Sequence, residues 1–140
     1  MYIDRGKEYL DMIVDVIEQE LQDNNKNIPV FAQHYLRASD VGKVPYVSVV
    51  LDRLERDLTT IGKSLRMVRV YYAITLVEKY QEEKLFTDLP IIEDALEKVE
   101  DQLPYTTEGA SIIGEDIAYE EVGNIVLQAT QITFLVECSI

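Results

Sequence analysis

The sequence holds one cysteine, Cys138, one histidine, His34, and no tryptophan in 140 residues. A lone thiol cannot close an internal disulfide, which fits a reducing compartment. No C-x-x-C and no H-E-x-x-H occurs, so zinc-ligand spacing is missing. The six glycines form no G-x-x-x-x-G-K loop, and Val41-Gly42-Lys43 reads only as a turn. No run of roughly 18 apolar residues exists, so no membrane-spanning helix is expected. The charged opening around Asp4 and Arg5 does not read as a secretory signal. Basic residues are scarce: 13 Lys and Arg face 26 Asp and Glu, for a net charge of -13. That balance repels phosphate backbones and anionic lipid surfaces, and it excludes a general nucleic-acid reader.

What is present is an ordinary globular share of hydrophobic residues, 47%. The length suits one domain over residues 1–140, able to bury roughly 70% of its unfolded surface without a disulfide or metal. Residues 4–24 carry Leu10, Ile13, Val14, Ile17 and Leu21 at helical spacing, with Asp4 as N-cap and Asn24-Asn25 as the stop. Then the period falls to two. Val30 to Leu36 reads as a short strand and Tyr46 to Leu54 as another. Ser64 to Val77 is the clearest strand, with Val68, Val70, Tyr72, Ile74 and Leu76 on one side and Met67, Arg69, Tyr71 and Thr75 on the other. The polar connection Glu55 to Lys63 exceeds a tight turn, so these two strands are expected to form a long protruding hairpin.

A second helix is expected from Asp88 as N-cap and Pro90 in the first turn, with Leu89, Ile92, Leu96, Val99 and Leu103 as its stripe and Pro104 as its end. Residues 104–124 read as a glycine-containing loop, with brief pairing at Ser111 to Ile113. Ile125 to Ile140 reads as a long strand with Ile132, Phe134, Val136, Cys138 and Ile140 on one face. Strands without βα crossovers give a mostly antiparallel sheet. The expected fold is α+β, with two amphipathic helices on one face of that sheet.

No catalytic constellation emerges. His34 has no carboxylate or nucleophile placed beside it by motif, so it reads as a structural histidine before a general base. Cys138 lies on an apolar strand face, where a buried, inert thiol is the default. Glu115-Asp116 and Glu120-Glu121 supply oxygen ligands of the kind a divalent cation takes, but their spacing is not that of a calcium-binding helix–loop–helix hand. A solvated acidic loop is the plainer reading. Tyr71 and Tyr72 alternate along a strand, so one is expected in the core and one outward. Tyrosine, present nine times, also suits protein interfaces.

The charge is unevenly distributed. Residues 42–77 hold six basic and three acidic groups, a net +3, whereas residues 78–124 hold three basic and fourteen acidic groups, a net -11. Arg53, Arg56, Lys63, Arg66 and Arg69 make the first region a basic edge, and Glu115, Asp116, Glu120 and Glu121 anchor an acidic one. Opposed edges on one subunit suit head-to-tail association, which closes into a ring where the rotation permits.

The order of elements resembles a known group. It runs from an N-terminal amphipathic helix to Pro45-Tyr46-Val47-Ser48-Val49-Val50-Leu51, then to Arg66-Met67-Val68-Arg69-Val70-Tyr71-Tyr72-Ala73-Ile74. The helix around Leu89-Pro90-Ile91-Ile92 and the terminal strand Gln131-Ile132-Thr133-Phe134-Leu135-Val136 complete it. This outline is similar to that of the tail terminator, or tail-completion, proteins of long-tailed bacteriophages, and related head-tail joining proteins share much of it. The resemblance implies a virion protein of the tail or neck, assembled in the host cytoplasm. It implies a homo-oligomer, a hexameric ring on the tail tube protein that meets the head connector, with no catalytic residues and no cofactor. DNA would pass through the channel without specific binding, and an acidic lumen would keep phosphates from adhering. Alternatives are another neck or connector component, a non-viral acidic ligand-binding protein using His34 or the acidic loop, and a monomeric adaptor.

Overall fold

A computed structural model describes residues 2–32, 44–56, 67–80, 85–103 and 107–139. Seven elements follow in order: α1 (Tyr2–Asp23), β1 (Val30–Ala32), β2 (Tyr46–Arg56), β3 (Met67–Lys79), α2 (Leu85–Gln102), β4 (Thr107–Val122) and β5 (Ile125–Ser139). The strands form one sheet in the order β1-β2-β3-β5-β4. Every neighbouring pair is antiparallel except β1–β2, which is parallel. The fold is α+β, as the change of period along the chain implies.

One buried cluster joins the two helices to the sheet. From α1 it takes Leu10, Ile13, Ile17 and Leu21, and from α2 Ile92, Leu96 and Val99. From β3 it takes Val68, Val70, Tyr72, Ile74 and Leu76, and from β5 Ile132, Phe134, Val136 and Cys138. These are the alternating residues expected on one side of each strand. They make up the inner face of the sheet. Tyr72 is fully buried and its hydroxyl donates to the Gly6 carbonyl at 2.7 Å, tying α1 to the middle of the sheet. Burial pushes the Tyr72 phenol well above its ordinary range, so it remains a donor. Cys138 is buried as expected, and its thiol donates to Tyr9 Oη at 3.6 Å.

Helix α1 ends as Asn24-Asn25 implied. Asn25 has φ 58°, the Lys26 amide bonds to the Leu21 carbonyl, and the Asn25 amide bonds to the Gln22 carbonyl. This pair of bonds around a left-handed residue is the Schellman arrangement, with asparagine in the place glycine often takes. It delivers Lys26 to Asp88 of α2 at 3.2 Å.

Three expectations change. Helix α1 begins at Tyr2, so Asp4 lies inside it rather than capping it. Helix α2 begins at Leu85, so Asp88 and Pro90 also fall inside their helix; buried Asp88 serves as the partner of Lys26, and Pro90 forgoes one backbone donor. The expected loop over 104–124 is instead the 16-residue strand β4, joined to β5 by the two-residue turn Gly123-Asn124. Gly123 has φ 63° and supplies the positive φ that a type II′ hairpin turn needs at its first central position. The alternation of Tyr71 and Tyr72 holds: Tyr72 lies in the core cluster and Tyr71 faces away from it, though Tyr71 too is buried, with Arg53 over its ring. The tip of the expected β2–β3 hairpin, at 57–66, and the end of the expected strand, at 33–36, lie outside the described residues.

Two substitutions test this account. Phe134→Ala empties a fully buried site and is expected to cost about 3–5 kcal/mol in urea unfolding. Gly123→Ala opens no clash but forces alanine into the left-handed region, for about 1–2 kcal/mol. A loss from Gly123→Ala as large as that from Phe134→Ala would contradict the turn assignment.

Candidate functional site: two charged regions of one sheet

The basic residues of β2 and β3 sit in cross-strand rows. Arg53 pairs with Tyr71, and Tyr71 with Leu135. The next row is Glu55, Arg69 and Glu137. A register shift between Leu51 and Arg53 turns Arg53 and Glu55 onto the face opposite the core cluster, the outer face. There the Arg53 guanidinium lies 4.2 Å from the Tyr71 ring centroid and 3.3 Å from Glu55. Tyr71 Oη donates to Glu55 at 3.0 Å, and Arg69 stands 3.7 Å from Glu137. A cation over an aromatic face, with its acid partner hydrogen-bonded to the same tyrosine, is held in one orientation. Arg53 is nonetheless 58% exposed at its side chain, and a guanidinium has more donors than Glu55 can use.

The five basic residues therefore divide. Arg53 and Arg69 are already paired within the subunit, each leaving an exposed side. Arg56 is the last residue of β2 and stands opposite Val68. Lys63 and Arg66 lie outside the described residues, as does His34.

The four acidic residues do not form a loop cluster. They lie on β4, the edge of the sheet, and alternate between its faces. Glu115 and Glu121 stand opposite Ile132 and Val126, which places them on the inner-face side. Asp116 and Glu120 stand opposite Gln131 and Leu127 on the outer face. Consecutive residues on opposite sides of a strand cannot converge on one cation, and among the described residues no group of three or more His, Cys, Asp or Glu side chains is arranged to hold a metal ion.

Glu115 has a partner that spacing could not reveal. It meets Glu93 of α2, and this shared hydrogen bond, with burial and the negative charges nearby, pushes the Glu93 carboxyl up to about 7. Two carboxyls sharing one proton tie β4 to α2 only while that proton is present. A second cluster missed by the sequence reading is apolar and exposed. Ile117, Tyr119 and Val126 lie on the inner-face side of the β4–β5 hairpin, beyond the region buried by the core cluster. Tyr80 joins them through a 5.6 Å edge-on ring contact with Tyr119. Its signal in the sequence is no more than Ile117 and Tyr119 two residues apart, between the acidic pairs Glu115-Asp116 and Glu120-Glu121.

The chain matches no protein-family model and no curated protein sequence. No membrane-spanning helix is present among the described residues.

The Glu93–Glu115 pair predicts a signed pH dependence. Its folded-state value lies above the ordinary 4.5, so the folded chain binds the proton more tightly than the unfolded chain. The group thus favours the fold least above about pH 7 and relieves this cost as pH falls toward 4.5. Glu93→Gln is expected to raise the thermal midpoint at pH 8 relative to wild type and to change it little near pH 5. Equal shifts at both pH values would show that the carboxyls do not share a proton.

Proposed function

We propose that this protein is a ring-forming structural component at the head-proximal end of a long-tailed phage tail, ending tube growth and joining tail to head. The observation that carries the reading is the order of elements: α1, the β2–β3 pair, α2 and a terminal β5. That order underlies the resemblance to tail terminators, and the chemistry of the described surface is consistent with it. The charged groups are spread along strands instead of gathered in a cleft, as an assembly surface requires and an enzyme does not.

In this reading the ring is a hexamer and its partners are the tail tube protein below and the head connector above. The outer face of the β4–β5 hairpin carries Asp116, Glu120, Gln131 and Thr133. The hairpin itself carries no lysine or arginine, so where it lines a channel it offers DNA phosphates no cation of its own. Arg53 and Arg69, held in their internal pairs, are groups a neighbouring subunit's carboxylates can approach.

Sedimentation velocity and native mass measurement of the full chain across salt concentrations test the reading. The expected result is one closed species of six copies, seen in electron micrographs as rings that cap purified tail tubes. A strict monomer at every concentration and salt, with bare tube ends, would refute it.

A further inference from the structure

β4 is an open edge. One side of the strand is hydrogen-bonded to β5 along its length, and no strand among the described residues lies on the other. Its two register shifts, between Thr107 and Gly109 and between Ile112 and Gly114, both fall in its first half. From Glu115 to Val122 the pairing is regular. The two-residue turn makes Val122 and Ile125 a hydrogen-bonded pair. Alternation then directs the N–H groups of Glu121, Tyr119, Ile117 and Glu115 away from β5, toward the side on which no described strand lies. Unpaired backbone in this state is a template for another strand.

The side chains say which strand fits. The segment Glu115 to Val122 carries four acids and no base. A symmetric pairing of two β4 edges would set carboxylates against carboxylates on both faces, which is unfavourable. The opposite end of the same sheet offers the complement. β1 covers β2 only from Val47 to Val49, and among the described residues no strand flanks β2 from Val50 to Arg56. That stretch is neutral, its two arginines offsetting Asp52 and Glu55, and it presents Arg53 beside Glu55 on the outer face and Leu54, 37% exposed, on the inner face. The acidic edge presents Asp116 and Glu120 on the outer face and Ile117 and Tyr119, 46% and 59% exposed, on the inner face. β2 and β4 also run in opposite directions within the sheet, three antiparallel steps apart.

We infer that the Glu115–Val122 edge of β4 docks a second copy of this chain, adding the Val50–Arg56 half of the neighbour's β2 as the next antiparallel strand. Inner faces stay on the same side across the junction. Leu54 then lies opposite Tyr119 and beside Ile117, Arg53 stands opposite Glu120, and Glu55 falls opposite Ala118, away from a like charge. Because the joined surfaces differ, each copy leaves one edge free for the next, and the contact is head-to-tail. This inference rests on the self-association proposed above and names its surface and its geometry.

Charge exchange in the full chain tests it. Glu120→Arg is expected to weaken self-association at least about tenfold, with circular dichroism and thermal midpoint near wild type, as is Arg53→Asp, with circular dichroism near wild type and a thermal midpoint somewhat lowered by the loss of its Tyr71 and Glu55 contacts. Combining the two exchanges in one chain is expected to restore assembly to within a few-fold of wild type. Ile117→Pro, which deletes one outward N–H and leaves the β5 ladder intact, is expected to weaken assembly more than Ile117→Ala. Wild-type rings with unaffected charge variants, or no rescue by the combined variant, would overturn the docking edge and leave the ring standing. A two-fold symmetric wild-type dimer would overturn head-to-tail pairing. A wild type that never associates would overturn both this inference and the proposed function.

Discussion

The ladder between β3 and β5 is the constraint on which the rest of the molecule depends. It runs from Met67 opposite Ser139 to Lys79 opposite Leu127 without a register shift. Its regularity decides every side chain's face, because a slip of one residue would exchange inner and outer sets. Val68, Val70, Tyr72, Ile74 and Leu76 meet Cys138, Val136, Phe134, Ile132 and Thr130 across it, and that row is the floor on which both helices' apolar stripes converge. The strands on either side inherit their orientation from it. The irregularities lie only in the outer pairings, between Leu51 and Arg53 in β2 and near Gly109 and Gly114 in β4. The chain bends its edges and keeps its centre straight.

Polar contacts then fix what the apolar floor leaves free. A hydrophobic stripe is non-directional and tolerates sliding. The Tyr72 hydroxyl on the Gly6 carbonyl sets the depth of α1 along the sheet. Lys26 on Asp88 joins the end of α1 to the first turns of α2, and Lys98 on Glu20 joins the two helices again further along. The Lys98–Glu20 pair is largely exposed on its lysine side, so it contributes orientation more than stability. The Lys26–Asp88 contact is different in kind, since a buried carboxylate without its cation would be costly.

Much of the fold was legible in the sequence because burial on one face leaves a period. The stripes of α1 and α2 and the alternation in β3 and β5 are such periods, and the structure keeps them. β4 was not legible for the converse reason. Asp116, Ile117, Ala118, Tyr119 and Glu120 are exposed on both faces, so no alternation of apolar and polar marks the strand. Gly109 and Gly114, which mark its register shifts, look like loop residues in one dimension. The Gly123-Asn124 pair was the available signal, a two-residue turn ahead of the apolar run Ile125-Val126-Leu127. The charged residues show the same division. Their uneven distribution is visible by counting, but their faces follow from pairing registers and bulges. The Arg53–Tyr71–Glu55 arrangement and the Glu93–Glu115 contact join residues distant in the chain, and no spacing rule brings them together.

A strand exposed on both faces and open at one edge is a hazard unless something guards it. Lysine is the usual guard, yet β4 carries none, and its acids serve in that place. They alternate between faces, so an approaching copy of β4 meets like charge whichever way it lies. The acids thereby exclude the self-pairing that identical edges would otherwise favour, and they do so without closing the edge to a strand bearing cations. Exclusion by charge is also graded, because salt shortens its range to within about 10 Å at 0.1 M. The net charge of -13 thus acts locally: at the edge of the sheet, it selects which strand can follow.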